Sequence, residues 1–417
     1  MPQHRLFPPI DPVKDACSGK IRSKGIEQRS TLTANGRINL RRRRFDNATT
    51  PMDAFVDQAQ ATVSLGMRQL CCLLNADSPS FDRAAGTLQH TTGIRLSAEL
   101  LRQVVEREGR QMLIAGAKGQ LPCPFNAVKD CTVNQVSRMY LGCDGFLASM
   151  ITDAEKKLRR QRTREKRRYL QRKKSHLAGH KPLASLPSRK TGADQRYKEF
   201  KLVQFYDEHH RHRLVSVTRR NHQSAGRLMR RDGGRAGFFD VQEKLAVIDG
   251  GPWIINQIKA QSLPVTAVSL DFYHLAENVH RARRNCFGED NPAGQDWAAR
   301  TLHIARHNGY EPLHDHLLQW RSSPSIRNSK HRRKACDLLI NYVTDRREMI
   351  NYPHWLKHPW QIGSGPTESQ CKLVPKRIKG RGQRWDADNA EAVMAIETLE
   401  QSNLSSAYWQ NQTKHAN

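Results

Sequence analysis

A single carboxylate stands among cations in the stretch Gln361–Trp385, QIGSGPTESQCKLVPKRIKGRGQRW. Glu368 falls in the first turn of a helix, and Lys372 lies four residues on along the same face. Lys376, Arg377, Lys379, Arg381 and Arg384 follow. That combination suits a divalent metal ion held beside a phosphate backbone. The plainer alternative is a glutamate that only complements the helix dipole. Two further acids stand where strand-like runs end. Val136–Gly145 is an apolar run closed by Asp144-Gly145, and its Asp either projects from a sheet edge or merely makes a turn. Leu245-Ala-Val-Ile ends in Asp249, followed by a Gly-Gly-Pro turn and a helix start, the edge at which sites form in open α/β sheets. Pro264–Asp271 repeats the pattern, so Asp271 rivals Asp249, and His274 one turn later reads as its structural partner. His209, His210 and His212 lack a second ligand pair at a zinc-like spacing and read as exposed loop residues.

These acids need strands and helices to bring them together. The turn Ile362–Gly365 ends at Pro366, a residue suited to the first position of a helix. Phe200–Tyr206 and His212–Thr218 read as a hairpin, and Asn221–Gly234 as a helix. Asn285–Trp360 is helical without a strand, and its tryptophans 297, 320, 355 and 360 read as core packing. A closing helix covers Ala387–Ser402. At the other end, residues 1–30 read as a loose arm and Gly36–Phe45 as a short strand with a cationic edge. That edge either protects the strand or contacts phosphate. Phe55, Val56, Ala59, Val63, Met67, Leu70 and Leu74 carry helical spacing from Met52 onward. A second helix capped by Ser97 completes a helix-turn-helix outline. Glu99, Glu106 and Glu108 suit it poorly to lying between phosphates, so DNA reading and simple packing both stand.

The chain has 417 residues, 37% hydrophobic content, a net charge of +29 and a pI near 10.2. So basic a chain points to a polyanion, by default nucleic acid. Much of the charge lies in Asp153–Lys174, a block either solvated or clamped on DNA; the charge of the whole chain favours the clamp, acting through counterion release. An RNA-binding sheet would want aromatic stacking motifs, and none is visible. No apolar run of about 18 residues spans a membrane, and the N-terminus lacks a signal-peptide core. Nine scattered cysteines without a C-x-x-C argue against a disulfide framework and fit a reducing cytoplasm, near the nucleoid for a DNA-bound chain.

The motifs TANGRINLRRRRF, FDRAAGTLQHTTGIRLS, LGCDG, VIDGGPWI, LDFYHLAENV and IGSGPTESQCKLVPKRIKGRGQRW, in this order, resemble those of the bacterial insertion-sequence DDE transposases, in the Kra branch close to the mutator-like transposases. The resemblance runs from about Thr33 to Gln401, and its last four motifs are the specific ones. It implies an α/β fold: an RNase H-like mixed-sheet catalytic core with an all-α insertion, behind a mainly helical N-terminal region. On that basis residues 1–50 form the arm and basic strand, and 51–115 a helix-turn-helix-like DNA-binding domain. The core comprises 130–285, with the basic insertion 153–195, and 361–405; the all-α insertion is 286–360 and the tail 406–417. Carried over residue by residue, the catalytic, metal-binding triad falls on Asp144, Asp249 and Glu368, with Asp271 and His274 as an assisting pair. The resemblance implies two Mg²⁺ or Mn²⁺ ions per site. Asp144 is assigned to bridge them, with Asp249 on one and Glu368 on the other. Lys372, Lys376, Arg377, Lys379 and Arg381, with Lys166, Arg167 and Arg168 of the basic block, are expected on DNA. The implied partners are double-stranded DNA, as transposon ends and target, and further copies of the chain; no small-molecule cofactor is implied. Where some relatives carry cysteine pairs, Phe45–Met52 has none. The alternative is an inactive or domesticated relative that holds DNA without cutting it.

Overall fold

The structure, a computed structural model, describes residues 13–14, 22–45, 48–49, 62–174 and 183–414. Short strands β1 (Val13–Lys14) and, later, β4 (Ala48–Thr49) pair with each other. Between them, β2 (Ser23–Thr33) and β3 (Gly36–Phe45) form an antiparallel ribbon. The Ala34-Asn35 loop is braced by Thr33, whose hydroxyl donates to Gly36 O (2.7 Å) and accepts from Asn35 N (3.2 Å). The single short strand expected here is thus one arm of a hairpin, and Arg42 turns inward to Glu27 (2.6 Å).

Three helices follow: α1 (Leu65–Asp77), α2 (Phe81–Thr92) and α3 (Ala98–Ala117). Each starts on a serine, at 64, 80 and 97, whose hydroxyl takes a first-turn amide, as N-caps do. The expected helical start at Met52, with Phe55, Val56 and Ala59, lies outside the described residues. Glu106 and Glu108 of α3 point inward. Glu108 pairs with Arg68 of α1 (2.7 Å) and accepts from Tyr408 (3.1 Å). These two carboxylates therefore serve packing, while Glu99 of the same helix stays exposed.

The remaining elements begin with α4 (Ala127–Asp130), β5 (Thr132–Val133), β6 (Val136–Ser149) and α5 (Asp153–Lys174). Next come β7 (Tyr197–Tyr206), β8 (Arg213–Thr218), α6 (His222–Ala236), β9 (Glu243–Ile248), α7 (Pro252–Ala260) and β10 (Ala267–Leu270). The strands make one sheet in the order β10-β9-β6-β7-β8, with β5 also on β6. β10, β9 and β6 run parallel; β7 and β8 add antiparallel. Leu245–Ile248 is buried throughout, as a central parallel strand covered on both faces must be.

From β10 the chain enters helices only: α8 (Phe272–Phe287), α9 (Pro292–Asn308), α10 (Tyr310–Ser322), α11 (Pro324–Arg327), α12 (Lys330–Thr344) and α13 (Tyr352–Lys357). Trp297 and Trp320 pack ring to ring in their core, 4.0 Å between centroids. Trp355 packs with Tyr140, Tyr206, Leu245 and Val247 of the sheet. α14 (Gly365–Leu373), α15 (Ala387–Gln401) and α16 (Ser405–Lys414) complete the chain. Among the described residues no helix is long and apolar enough to cross a membrane.

Two compact units result. One gathers the described residues up to Pro122 with Gly380–Gly382 and Asn389 onward; the other holds Cys123–Lys379 and Gln383–Asp388. The closing helix and tail therefore belong with the N-terminal helices, where the sequence had assigned them to the core and a free end. The bonds responsible run from Arg110 to Asn389 (3.0 Å), Tyr408 to Glu108, and Asn411 to the Gln120 carbonyl (3.1 Å). The 286–360 helices share a unit with the sheet.

Candidate functional site

Asp144 does not make a turn. β6 continues through Gly145 to Ser149, and Asp144 pairs with Leu202 of β7. An Asp-Gly pair reads locally as a turn; here the ladder to β7 supplies the hydrogen bonds that keep it extended. On the other side of β6, the parallel rungs to β9 stop at Leu141↔Ala246. Asp144 and Asp249 each stand three residues past that rung, where the two strands part. They therefore share the carboxyl-end rim of adjacent parallel strands, the usual place for a site in such sheets. Burial pushes the Asp144 carboxyl above its ordinary range, and the Asp249 charge adds to this. The Gly145 amide (2.6 Å) and the Cys371 thiol pull it back.

Glu368 reaches this rim through a close approach. A Cβ on Gly142 would lie 2.0 Å from Thr367 Oγ1, so only a bare backbone lets α14 sit over β6. Gln204 of β7 donates to the same hydroxyl (2.9 Å). The chain ahead of α14 is held at several points. Gln361 N donates to Tyr140 Oη (3.1 Å) and Phe272 N to Ile362 O (2.9 Å). Ser364, at the N-cap of α14, spends its hydroxyl on Asp271 Oδ2 and leaves the helix without a side-chain cap.

Asp271, 0% exposed, uses both oxygens on protein donors: Ser364 at Oδ2 and the Tyr273 amide at Oδ1 (2.8 Å). His274 Nε2 stands 3.9 Å away. One ligand atom each from Asp271, His274 and Glu368 lie within 4.8 Å of one another. Among the described residues this is the group so close-set; Asp144, Asp249 and Glu368 do not form one together. Asp249 is half-exposed and spends Oδ1 on the Gly251 amide (2.8 Å). The arrangement offers hard oxygen donors at the rim of the sheet, with one imidazole beside them, a set suited to Mg²⁺ or Mn²⁺.

The cations are distributed differently from expectation at one position. Lys372, Lys376, Lys379 and Arg381 are exposed, and Lys372 Nζ lies 3.7 Å from Glu368. Arg377 is not on the surface. At 8% exposure it lies over the Trp385 ring (5.2 Å) and donates to Gln383 Oε1 (2.9 Å), which removes it from the phosphate-facing set. Burial lowers its guanidinium to about 10. Lys166 and Arg168 are exposed on α5, whereas Arg167 is half-buried and donates to the Ala184 carbonyl. No residue of this 22-residue helix is buried. Its first turn is tethered by Arg189 to Asp153 and by Arg384 to Glu155 (3.0 Å). Sequence reasoning missed Ser364, Thr367 and Cys371, whose only local signal was small or polar residues in the first turns of a helix. The other missed group is Arg346, which belongs to no motif.

No protein-family model matches the chain, and no curated protein does. Among solved structures, one similar chain is described as "Drosophila P element transposase strand transfer complex", at a TM-score of 0.26 and 9% identity, over 85% of this chain and 83% of that one. A likeness that shallow carries no argument about this protein.

Proposed function

We propose that the chain is a transposase that cleaves and joins DNA strands, with Asp144, Asp249 and Glu368 as metal-binding catalytic residues on an RNase H-like core. The observation that carries the reading is the placement of Asp144 and Asp249 on the parted ends of adjacent parallel strands, with α14 brought over the same strand by Gly142. The strand order supports it too: three consecutive antiparallel strands, β6, β7 and β8, with β9 and β10 added parallel on the free side of β6. This is the mixed sheet expected of that core.

Asp144, Asp249 and Glu368 are not grouped as closely as Asp271, His274 and Glu368, and acids that hold different ions need not touch. Asp144, Asp249 and Glu368 would hold the divalent ions, which when bound would stabilise the attacking and leaving oxygens of an in-line displacement at phosphorus. Cys371 and Gly145 keep the Asp144 carboxylate oriented by hydrogen bonding to it. Asp271, its oxygens already engaged, braces α8 against Ser364 at the start of α14, the helix that carries Glu368. Lys372, Lys376 and Lys379 hold the backbone of the strand, and α5 adds sequence-independent attraction through Lys166 and Arg168. Double-stranded DNA is the partner, and two ends held at once call for more than one copy of the chain.

The test is metal-dependent nicking of DNA by single-residue variants. Asp144→Ala and Asp249→Ala should abolish cleavage while DNA affinity stays the same or rises, since a negative charge is gone. Asp271→Ala should instead lower stability by about 1–3 kcal/mol, because the Ser364 and Tyr273 donors lose their acceptor. Cleavage that survives Asp249→Ala and dies with a well-folded Asp271→Ala would exchange the two roles. Binding without cleavage in the unmodified protein would favour the non-catalytic DNA-holding alternative.

A further inference from the structure

We propose that Arg346 is a phosphate-binding residue of the same site, delivered by the α-helical region to the turn that follows Asp249; the inference rests on the nucleic-acid reading above. Arg346 lies just beyond α12. Its guanidinium stacks on the ring of Tyr342, one turn back, with its carbon 4.0 Å from the centroid. Nη1 donates to the Tyr342 carbonyl (3.1 Å). The group then crosses Gly250. A Cβ at that position would lie 2.4 Å from Arg346 Nε and 2.8 Å from its Cδ, and the glycine has φ +78. The turn after Asp249 is therefore bare backbone where the arginine passes.

What makes the group unusual is what it lacks. Nε is buried with no hydrogen-bond partner, and among the described residues no carboxylate pairs with the guanidinium. Among the described residues, Arg283 of this unit also has a buried Nε without a partner, but others are paired with acids. Arg138, for example, takes both Glu208 (2.8 Å) and Glu243 (2.5 Å). Leaving a buried N–H unpaired costs free energy that a ligand oxygen would recover. The acidic rim is close by: Tyr342 is raised to about 12, mainly by burial, with the Arg346 charge lowering it and the charges of Asp249 and Asp271 raising it. A guanidinium near those carboxylates that pairs with neither is left free for a third charge. Its planar fork matches two oxygens of a phosphodiester, and stacking on Tyr342 has already cost it its rotational freedom. The phosphate between metal-binding acids on one side and Arg346 on the other would be held on both flanks.

The experiment uses the full chain and four variants, R346Q, R346K, Y342L and Y342F. Affinity for a duplex of about 30 bp is measured in Ca²⁺ across a salt series, and nicking of supercoiled plasmid in Mn²⁺; melting temperatures report folding. R346Q should weaken binding severalfold, reduce the salt slope by about one, and slow nicking on the order of 100-fold. R346K should keep the slope and still lose roughly tenfold in nicking, because a point charge lacks the fork. Y342L, which removes the platform, should behave as R346Q, and Y342F as the unaltered protein. A folded R346Q with unchanged slope and affinity overturns the proposal. Should R346Q not fold, R346K and Y342L decide it by the same comparison. If the unaltered protein never nicks, the cleavage reading falls while the salt slope still decides Arg346.

Discussion

Asp144 is held where its charge is least welcome. Burial raises its carboxyl above the ordinary range and the neighbouring Asp249 raises it further. For an acid raised on folding, the stabilising contribution is complete below the usual carboxylate range and is lost as pH climbs through the raised value. Once ionised, Asp144 is therefore a cost, which a bound cation would offset. Asp144→Asn should raise the melting temperature of the metal-free protein near neutral pH, with a gain that shrinks on acidification. Mg²⁺ or Mn²⁺ should then stabilise the original protein more than the variant. Equal metal shifts in both would show that Asp144 holds no ion.

At the scale of elements, α5 and α14 carry cations of two kinds. Helix α5 buries nothing, so its arginines and lysines contribute to no core. Substituting Lys166 and Arg168 with Gln should each remove about one unit from the salt dependence of DNA binding, leaving thermal stability within about 0.5 kcal/mol. Arg377, after α14, should do the reverse. Its removal empties the space over Trp385 and should cost about 1 kcal/mol or more in stability, with no change in salt slope. A titration series on the three variants separates the behaviours. The β2–β3 ribbon shows the same division within one strand: Arg42 is used on Glu27, while Arg41 and Arg43 face solvent.

Considered as a whole molecule, the chain folds as two units, the first closed by its own last helices. Glu108 of α3, Arg68 of α1 and Tyr408 of α16 join three elements through bonds that span 40 and 300 residues. Arg68→Ala would leave the Glu108 carboxylate buried without its cation and should cost about 3–5 kcal/mol. The loss should appear in denaturant unfolding as an earlier transition for that unit; an unchanged midpoint would mean the pair is dispensable. With two units, a single unfolding free energy for the chain is not defined, and each transition has to be followed separately.

Much of the local structure was legible in the residues themselves. The Ser97 cap, the Leu245–Asp249 run with its Gly-Gly-Pro turn, the 200–218 hairpin and the strandless 285–360 stretch all depend on neighbours along the chain, so periodicity and turn chemistry suffice to find them. The positions of Asp249 and Glu368, at a strand end and in a first helical turn, followed from the same signals. Asp144-Gly145 misled because the pair is held extended opposite Leu202 and Lys201 of β7, which no nearby residue announces. Arg377 misled because its run looks uniformly basic until Trp385 folds under one member. The approach of Thr367 to Gly142, the bond from Ser364 to Asp271 and the crossing of Gly250 by Arg346 join residues roughly 90 to 225 positions apart. Such contacts follow from how closely packed backbones can come, a quantity that exists only once the strands and helices have met.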